Sequence, residues 1–204
     1  MRSSLLALGL MAAAFSASAQ ADLNYSFDTD AQGWTATDGV LSHVASGGNS
    51  GGFLSIHDGN DASMLAIAPG SALGSWSSYL GGTLSFDGLN LSAESADWDG
   101  FGEVTIFGSA GSVTLKVAPP ASPSQDGQWH RYSALLSPTL WGSNLAAVLN
   151  NVTGVTIQTE FHNGVSETAG LDNFKVAAVP EPETYALLLA GLGLVGLAAR
   201  RRRG

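Results

Sequence analysis

The sequence predicts an all-β sandwich between two apolar ends, and three observations support this. Residues 22–178 are rich in Gly, Ser, Thr, Val and aromatic residues, and apolar and polar residues alternate there in short runs between turn signals. This stretch is about 157 residues long, which suits one domain with a core. The chain contains no cysteine, so its stability has to come from packing and from any bound metal, and thiol catalysis and thiolate metal sites are excluded.

The alternating runs predict individual strands. The run 83–91 turns Leu84 and Phe86 toward the core, and Gly88 within it predicts a bulge. The Gly- and Ser-containing stretch 108–111 predicts the turn of a hairpin. The other predicted strands are 23–27, 40–44, 52–57, 103–107, 112–117, 129–135, 155–161 and 171–176.

One short helix interrupts this strand pattern. Ser143 is a good N-cap, because its hydroxyl can accept a hydrogen bond from a free backbone N–H of the first turn. Leu145, Val148 and Leu149 follow at helical spacing, and the asparagines 150–151 end the segment. The prediction is therefore a sandwich with a single helix.

The N-terminal end has the pattern of a secretory signal peptide. Arg2 gives a positive start, and the apolar run 5–15 follows. Small residues then offer two A-x-A cleavage patterns, so that cleavage after Ala19 or Ala21 is expected. The predicted division of the chain is a signal peptide at 1–21, a β-sandwich at 22–178 and a sorting or anchor segment at 179–204.

The C-terminal end combines three features in order: a Pro-Glu-Pro motif, an uncharged apolar stretch at 185–199 and a cluster of arginines. As a helix the apolar stretch would measure about 23 Å, short of the ~30 Å hydrocarbon core of a bilayer. The arginines are expected to stay on the cytoplasmic side of the membrane. An ordinary C-terminal membrane anchor, never cut, is one interpretation of this transmembrane helix.

This arrangement also resembles the PEP-CTERM sorting signal. The resemblance implies an exosortase-type membrane protease as partner, which cleaves near the motif and releases the protein or re-attaches it outside. It further implies a Gram-negative bacterium that makes exopolysaccharide, with passage through the inner membrane to the cell surface, extracellular matrix or biofilm. The residues that carry the resemblance are Pro180, Glu181, Pro182, Arg200, Arg201, Arg202 and Arg203.

Charge narrows the possible partners. Five of the eight Lys and Arg residues lie in the two ends, which leaves three in residues 22–178 against fifteen carboxylates, a formal charge of −12. Nucleic-acid binding is therefore not expected, since contacts to phosphates need a basic patch. An acidic surface suits solubility outside the cell, and carboxylate oxygens are the ligands that calcium takes.

A second resemblance concerns the domain itself. The stretch 79–86 reads Tyr-Leu-Gly-Gly-Thr-Leu-Ser-Phe and resembles a strand of the laminin B (laminin IV type A) domain. Trp129, the segment 141–152 and the ending 170–174 resemble later parts of that domain, and residues 27–34 resemble its opening. The resemblance implies a jelly-roll β-sandwich of the galactose-binding type and a non-catalytic extracellular module.

The related jelly rolls also suggest one structural calcium ion. Asp28 and Asp30 follow the first strand, and Asp172 lies in the last. The resemblance implies an ion held between these two strands, which would neutralise carboxylates and tie the ends of the domain together. The alternative is that Asp28 and Asp30 form turns before Gly33, and that Asp172 caps a strand end.

Sugar binding needs an exposed aromatic ring beside polar groups. Trp98, flanked by Asp97 and Asp99, is the best exposed candidate; its loop lacks the complete spacing of an EF-hand. Trp76 and Tyr79 are the next candidates, and Trp34 is expected in the core.

Together these observations give a leading hypothesis and an alternative. The leading one is an exported, non-enzymatic β-sandwich that binds polysaccharide or a matrix component. The alternative is a carbohydrate-active enzyme, a hydrolase or lyase, on a jelly-roll scaffold. The G-x-S-x-G match at 48–52 does not favour an esterase, because no helix is predicted after Ser50, as a nucleophile elbow requires.

Overall fold

Two antiparallel sheets form the body of the molecule. The computed structural model describes residues 21–58, 63–163, 166–179, 191–193 and 200, and Ala21–Val179 forms one compact unit. The strands in it are β1 (Leu23–Tyr25), β2 (Thr35–Thr37), β3 (Val40–Val44), β4 (Phe53–Asp58), β5 (Leu65–Ile67), β6 (Thr83–Asn90), β7 (Glu103–Gly108), β8 (Gly111–Lys116), β9 (His130–Leu135), β10 (Val152–Gln158) and β11 (Glu167–Ala177). The helices are α1 (Pro138–Trp141) and α2 (Leu145–Leu149), with 3-10 turns at Gly70–Ala72 and Ser77–Tyr79.

The order of the strands confirms the predicted sandwich. One sheet runs β3-β4-β11-β6-β9, and β1 pairs with the end of β11 that β4 leaves free; we call it the six-stranded sheet. The other runs β2-β5-β10-β7-β8 and is the five-stranded sheet. The predicted hairpin is the β7–β8 pair. Every pairing is antiparallel, which fits the alternation of buried and exposed side chains along the strands.

Some elements differ from the predictions because neighbours, rather than local sequence, define them. Strands β2 and β5 were not predicted. Each has only three residues and is defined by its pairing with a neighbouring strand; in the β2–β5 pair, Ala36 lies opposite Ala66. Helix α1 was not predicted either, and it starts with Pro138, whose fixed φ suits a first helical turn. Helix α2 lies where expected, but its N-cap is Asn144 and not Ser143.

The predicted bulge at Gly88 is wrong. Gly88 pairs regularly with both neighbouring strands, and the irregularity lies in β11, between Asp172 and Lys175. A glycine stands at position 88 because a Cβ there would come within 2.5 Å of the Phe101 ring and 3.0 Å of the Tyr132 ring. Gly88 therefore marks a close approach of core rings to the strand.

Aromatic rings fill the space between the sheets. Trp34, expected in the core, is buried and meets Phe174 edge-on at 4.9 Å between centroids and Phe27 at 5.9 Å. A second group joins Phe86 and Tyr132 of the six-stranded sheet to Phe101, which lies just before β7. Such edge-to-face pairs add to the stabilisation from buried apolar area. With no disulfide in the chain, this packing is the main source of stability.

The sandwich has two different ends. The terminus end holds the start of the domain at Ala21, its last described residue Val179, helices α1 and α2 and the β7–β8 turn. The Tyr79 hydroxyl donates to the Ala21 carbonyl at 2.6 Å, and Lys175 forms an ion pair with Asp22 at 2.8 Å. The loop end holds the β6–β7, β8–β9 and β10–β11 loops. The two termini of the domain are thus fixed side by side.

The predicted targeting segments lie largely outside the described residues. This applies to the signal peptide through residue 20, to the Pro180-Glu181-Pro182 motif and to most of the apolar stretch and arginines. Gly191 to Gly193 and Arg200 are helical. No helix formed by the described residues is both long and apolar enough to cross a membrane.

Replacement of Gly88 by alanine tests the role of this close approach. The new methyl group would press on the Phe101 and Tyr132 rings, so we expect Gly88→Ala to lower the free energy of unfolding by about 1–3 kcal/mol in urea titrations. Gly70→Ala is the matched control, because a Cβ at Gly70 meets nothing within 4 Å. Equal stability of the two variants would contradict this packing argument.

Candidate ligand-binding site

The outer face of the six-stranded sheet carries a half-buried tryptophan. Alternation along β9 places Trp129 on the same side as Arg131, and the Trp129 ring lies over Gly170, whose Cβ would come within 2.8 Å of it. Its indole N–H donates to the Gly47 carbonyl at 3.0 Å, and its ring meets Phe53 edge-on at 5.3 Å. Trp129 is thus fixed on three sides, with part of its ring open to solvent.

The residues before Trp129 are fixed as well. The Asp126 carboxylate accepts a hydrogen bond from the backbone N–H of Gln128 at 2.9 Å, which closes a tight turn. It also pairs with His130 at 2.8 Å, on the far side of Trp129. The hydrogen bond from His130, together with that from Gln128, lowers the pKa of the Asp126 carboxyl. The tryptophan therefore has a rigid support although it follows a loop.

Next to Trp129, a polar cluster lies beneath the β3–β4 loop, residues 45–52. Asp87 and Asp172 are paired across β6 and β11, and both are almost fully buried. The bulge in β11 puts Asn173 in the left-handed region, at φ 49°, and its amide donates to Asp87 at 2.9 Å. Asn49 bridges the pair: its backbone N–H donates to Asp172 and its side-chain amide to Asp87, both at 2.8 Å. Arg131 lies 3.4 Å from Asp87.

The electrostatics of this cluster favour a structural role for the carboxylates. Burial raises the pKa of the Asp172 carboxyl to about 6, and the neighbouring Asp87 adds to the rise. The N–H groups of Asn173, Asn49 and Ser50 act in the opposite direction by stabilising the ionised form. The carboxylates hold the loop down, and the groups presented to solvent are the Trp129 ring and Arg131, whose side chain is 58% exposed.

The arrangement does not fit the predicted calcium site. Asp28 and Asp172 both touch the Gly48–Gly51 turn, but Asp172 is occupied by backbone N–H donors and Asp28 accepts from the Ser26 hydroxyl. Asp30 accepts from the Gln32 N–H at 2.7 Å, the turn-forming alternative. In the part of the chain that the structure describes, no three His, Asp or Glu side chains converge as metal ligands do. The calcium ion stays a prediction.

The loop that contains Trp98 is the β6–β7 loop at the loop end, where the Trp98 backbone N–H donates to the Phe161 carbonyl at 3.0 Å. Trp98 is 37% exposed, and its ring packs against Gly100. Its two acidic neighbours already have partners: Asp97 accepts from the Asn163 N–H at 3.1 Å, and Asp99 pairs with Lys116 at 2.8 Å. Ligand binding at Asp97, Trp98 and Asp99 stays a prediction. Trp76 and Tyr79 are buried, so their proposal as exposed platforms is wrong.

The sequence contains a local signal for Trp129. Trp129, Arg131 and Ser133 alternate with His130 and Tyr132 along a predicted strand, so the tryptophan shares a face with polar residues. A tryptophan on the polar face of a strand is the exception that indicates a binding surface. The covering loop and the bulge that support it had no such local signal.

The loop end contains another buried acid. Glu167 accepts hydrogen bonds from the backbone N–H groups of Phe161 at 3.0 Å and His162 at 2.6 Å, and so closes the β10–β11 loop. Burial raises the pKa of the Glu167 carboxyl to about 7; the neighbouring Glu160 adds to the rise, while the two N–H donors and His162 oppose it. An acid in this state stabilises the fold most when it is protonated.

Comparison with known proteins identifies the C-terminal segment. Residues 178–203 match the PEP-CTERM protein-sorting motif, which confirms the predicted signal. The chain is therefore an exported protein that is sorted at the membrane. No curated protein matches the chain by amino-acid sequence.

Solved structures similar to the domain confirm its fold. A family 11 carbohydrate-binding module from Clostridium thermocellum, determined in complex with a β-1,3-1,4-mixed-linked tetrasaccharide, is 14% identical and has a TM-score of 0.50; the match covers 80% of this chain and 99% of the module. An exo-β-agarase is 15% identical with a TM-score of 0.56, and the match covers 77% of this chain and 24% of the agarase. At these identities the similarity shows a jelly-roll sandwich.

The L4b domain of human laminin alpha-2 is also similar. It is 12% identical, with 61% of this chain and 80% of that domain covered and a TM-score of 0.48.

The buried acids predict how stability depends on pH. In the unfolded chain Glu167 loses its proton near its ordinary pKa of 4.5, whereas in the folded domain it keeps it to about pH 7. Its stabilising contribution is thus complete below pH 4.5 and is lost as the pH rises through 7. For Glu167 we expect a loss of about 2 kcal/mol in the free energy of unfolding between pH 5 and 7.5.

The Glu167→Gln variant isolates this effect in urea titrations at several pH values. The glutamine oxygen can still accept from Phe161 and His162, but the side chain cannot ionise, so the slope with pH should flatten by that amount. Glu103→Gln, an exposed change on β7, controls for the loss of one carboxylate. A slope unchanged by Glu167→Gln would contradict the assignment.

Chelation tests the calcium prediction. Because the Asp172 oxygens already accept N–H donors, we expect the thermal midpoint to be the same in EDTA as in millimolar calcium. A rise in the midpoint with calcium that disappears in Asp28→Asn would instead establish an ion between the first and last strands.

Proposed function

We propose that the protein is a non-catalytic carbohydrate-binding module that is exported and processed by an exosortase, and that it binds a polysaccharide of the cell surface or extracellular matrix. The observation that carries this proposal is the half-open Trp129 ring, fixed beside the guanidinium of Arg131 and the β3–β4 loop residue Asn49 on the outer face of the six-stranded sheet. Sugar recognition combines such an apolar ring face with a few polar groups that orient the hydroxyls.

The rigidity of the site supports the proposal. A binding surface gains affinity when its groups are already ordered, because less conformational entropy is lost on binding. Trp129 is held by the Gly47 carbonyl, by Phe53 and by the turn before it, and Asn49 ties the covering loop to both buried carboxylates. The similar fold of a module that was determined with a bound tetrasaccharide is in keeping with a sugar ligand.

The charge of the domain favours a neutral glycan. Fifteen carboxylates against three basic residues between 22 and 178 would repel a polysaccharide rich in uronic acids. The carboxylates nearest Trp129 are buried in hydrogen bonds and are not presented to a ligand, which favours binding over hydrolysis. A carbohydrate-active enzyme remains the alternative function, with the agarase similarity as its support.

Affinity electrophoresis in gels that contain soluble neutral polysaccharides tests this proposal. The probes are β-1,3-1,4-mixed-linked glucan and agarose. We expect Trp129→Ala to reduce the affinity, read from the retardation in the gel, about tenfold or more, because the ring that stacks on the sugar is lost. Trp98→Ala is the matched control, since Trp98 is also partly exposed but stands on the β6–β7 loop and not beside Arg131, and it should bind as the unmodified protein does.

Further variants separate the possible reasons for a loss of binding. Trp129→Tyr keeps an aromatic ring and should retain most of the affinity. Asn49→Ala loosens the β3–β4 loop without removing the ring; if it alone reproduced the full loss, the loop and not the ring would be the binding element. Loss of binding with Trp98→Ala and not with Trp129→Ala would place the site on the β6–β7 loop. Release of new reducing ends from the polysaccharide would establish an enzyme.

A further inference from the structure

Charge is distributed unevenly between the two ends of the sandwich. Three long stretches, 62–86, 104–115 and 132–159, contain no Asp, Glu, Lys, Arg or His. The fold brings their turns and helices together at the terminus end: the Asn144 amide donates to the Ala110 carbonyl at 3.0 Å, and the Trp76 N–H donates to the Leu149 carbonyl at 2.7 Å. This end is therefore uncharged in an otherwise acidic domain.

The remaining charge supports this division. Asp22, a carboxylate at the terminus end, is neutralised by Lys175 at 2.8 Å. The loop end, in contrast, is strongly acidic. Its carboxylates in the described loops include Glu94, Asp97, Asp99, Asp126 and Glu160.

The uncharged end also exposes apolar side chains. The Gly81 N–H donates to the Leu136 carbonyl at 2.8 Å, which places Leu80 beside Leu135, and the Val179 side chain lies against Gly81. Water-exposed apolar side chains gathered in one place mark an interaction surface. The members of this apolar patch are Leu80 (41% exposed), Leu135 (54%), Leu140 (48%) and Val179 (51%).

The chain itself indicates what covers the patch. Five residues, 180–184, separate Val179 from the apolar stretch of the sorting signal. Fully extended, they reach at most about 17 Å. As long as the apolar stretch is in the bilayer, the end of the domain that carries Val179 is therefore held close to the lipid headgroups. A tether of many more residues would let any side of the domain face the bilayer, whereas this short one keeps the end that carries Val179 nearest to it.

We propose that the terminus end is a lipid-docking face, on which the domain rests against the bilayer surface until its tail is cut. Leucine side chains partition into the interface, and a face whose carboxylate Asp22 is paired with Lys175 avoids the repulsion between carboxylates and anionic headgroups. The acidic loop end then points away from the membrane. This inference shares the sorting signal with the proposed function but does not depend on sugar binding, so a failure to bind sugar would leave it intact.

The lack of cysteine allows a direct test with single labelled positions. Ser143→Cys puts a polarity-sensitive fluorophore at the terminus end beside the patch, and Ser124→Cys puts one at the loop end; both side chains are exposed. The full-length chain is reconstituted in vesicles of phosphatidylethanolamine and phosphatidylglycerol that carry nitroxide-labelled acyl chains. We expect a blue shift and strong quenching at position 143, and neither at position 124.

A patch variant tests whether the apolar side chains are the cause. Leu135→Ser with Leu140→Ser, in the Ser143→Cys background, should reduce quenching to the level at position 124, while co-flotation with the vesicles shows that the tail is still inserted. Quenching at 143 should persist in high salt, because apolar contact is not screened. Equal quenching at both positions, or quenching at 143 unaffected by the patch variant, would overturn the proposal. So would a blue shift without lipid that grows with protein concentration, which would indicate a second copy on this face.

Discussion

The structure depends on the hydrogen bonding of the last strand of the domain. β11 lies in the middle of the six-stranded sheet and pairs with β6 along one edge and with β4 and then β1 along the other. Where β4 gives way to β1, the strand bulges, and this bulge allows Asp172 and Asn173 to share one face of the sheet. The polar cluster, the position of the β3–β4 loop and the support of Trp129 all follow from this irregularity.

This arrangement removes the carboxylates of Asp87 and Asp172 from water, which costs them hydration free energy. Burying a charge is unfavourable unless hydrogen bonds replace its hydration, and here amides and backbone N–H groups do so. The result is a loop that is held down by buried hydrogen bonds in a chain without cysteine. A site that has to keep its shape outside the cell gains from such a support, because it does not depend on redox conditions.

Sequence reasoning found the fold class and the sorting signal but not the site. Alternation and turn chemistry are local, so β3, β7 and β8 were predicted nearly to the residue. β2 and β5 are too short to carry a period, and they form because a neighbouring strand offers free hydrogen-bonding groups. The Asp87–Asp172–Asn49 cluster joins residues up to 123 positions apart, and no local pattern predicts such a contact. Trp129 could have been predicted from the sequence, because the alternation along its strand puts it on a polar face.

The order of the strands in the chain also bears on how this protein leaves the cell that makes it. The central strand of the larger sheet is the last to be synthesised, so β1, β4 and β6 have no common partner until almost the whole polypeptide has passed through the export channel. The six-stranded sheet can therefore be completed only after the C-terminal part of the domain has arrived. Sheet completion and arrival of the sorting signal are thereby made nearly simultaneous.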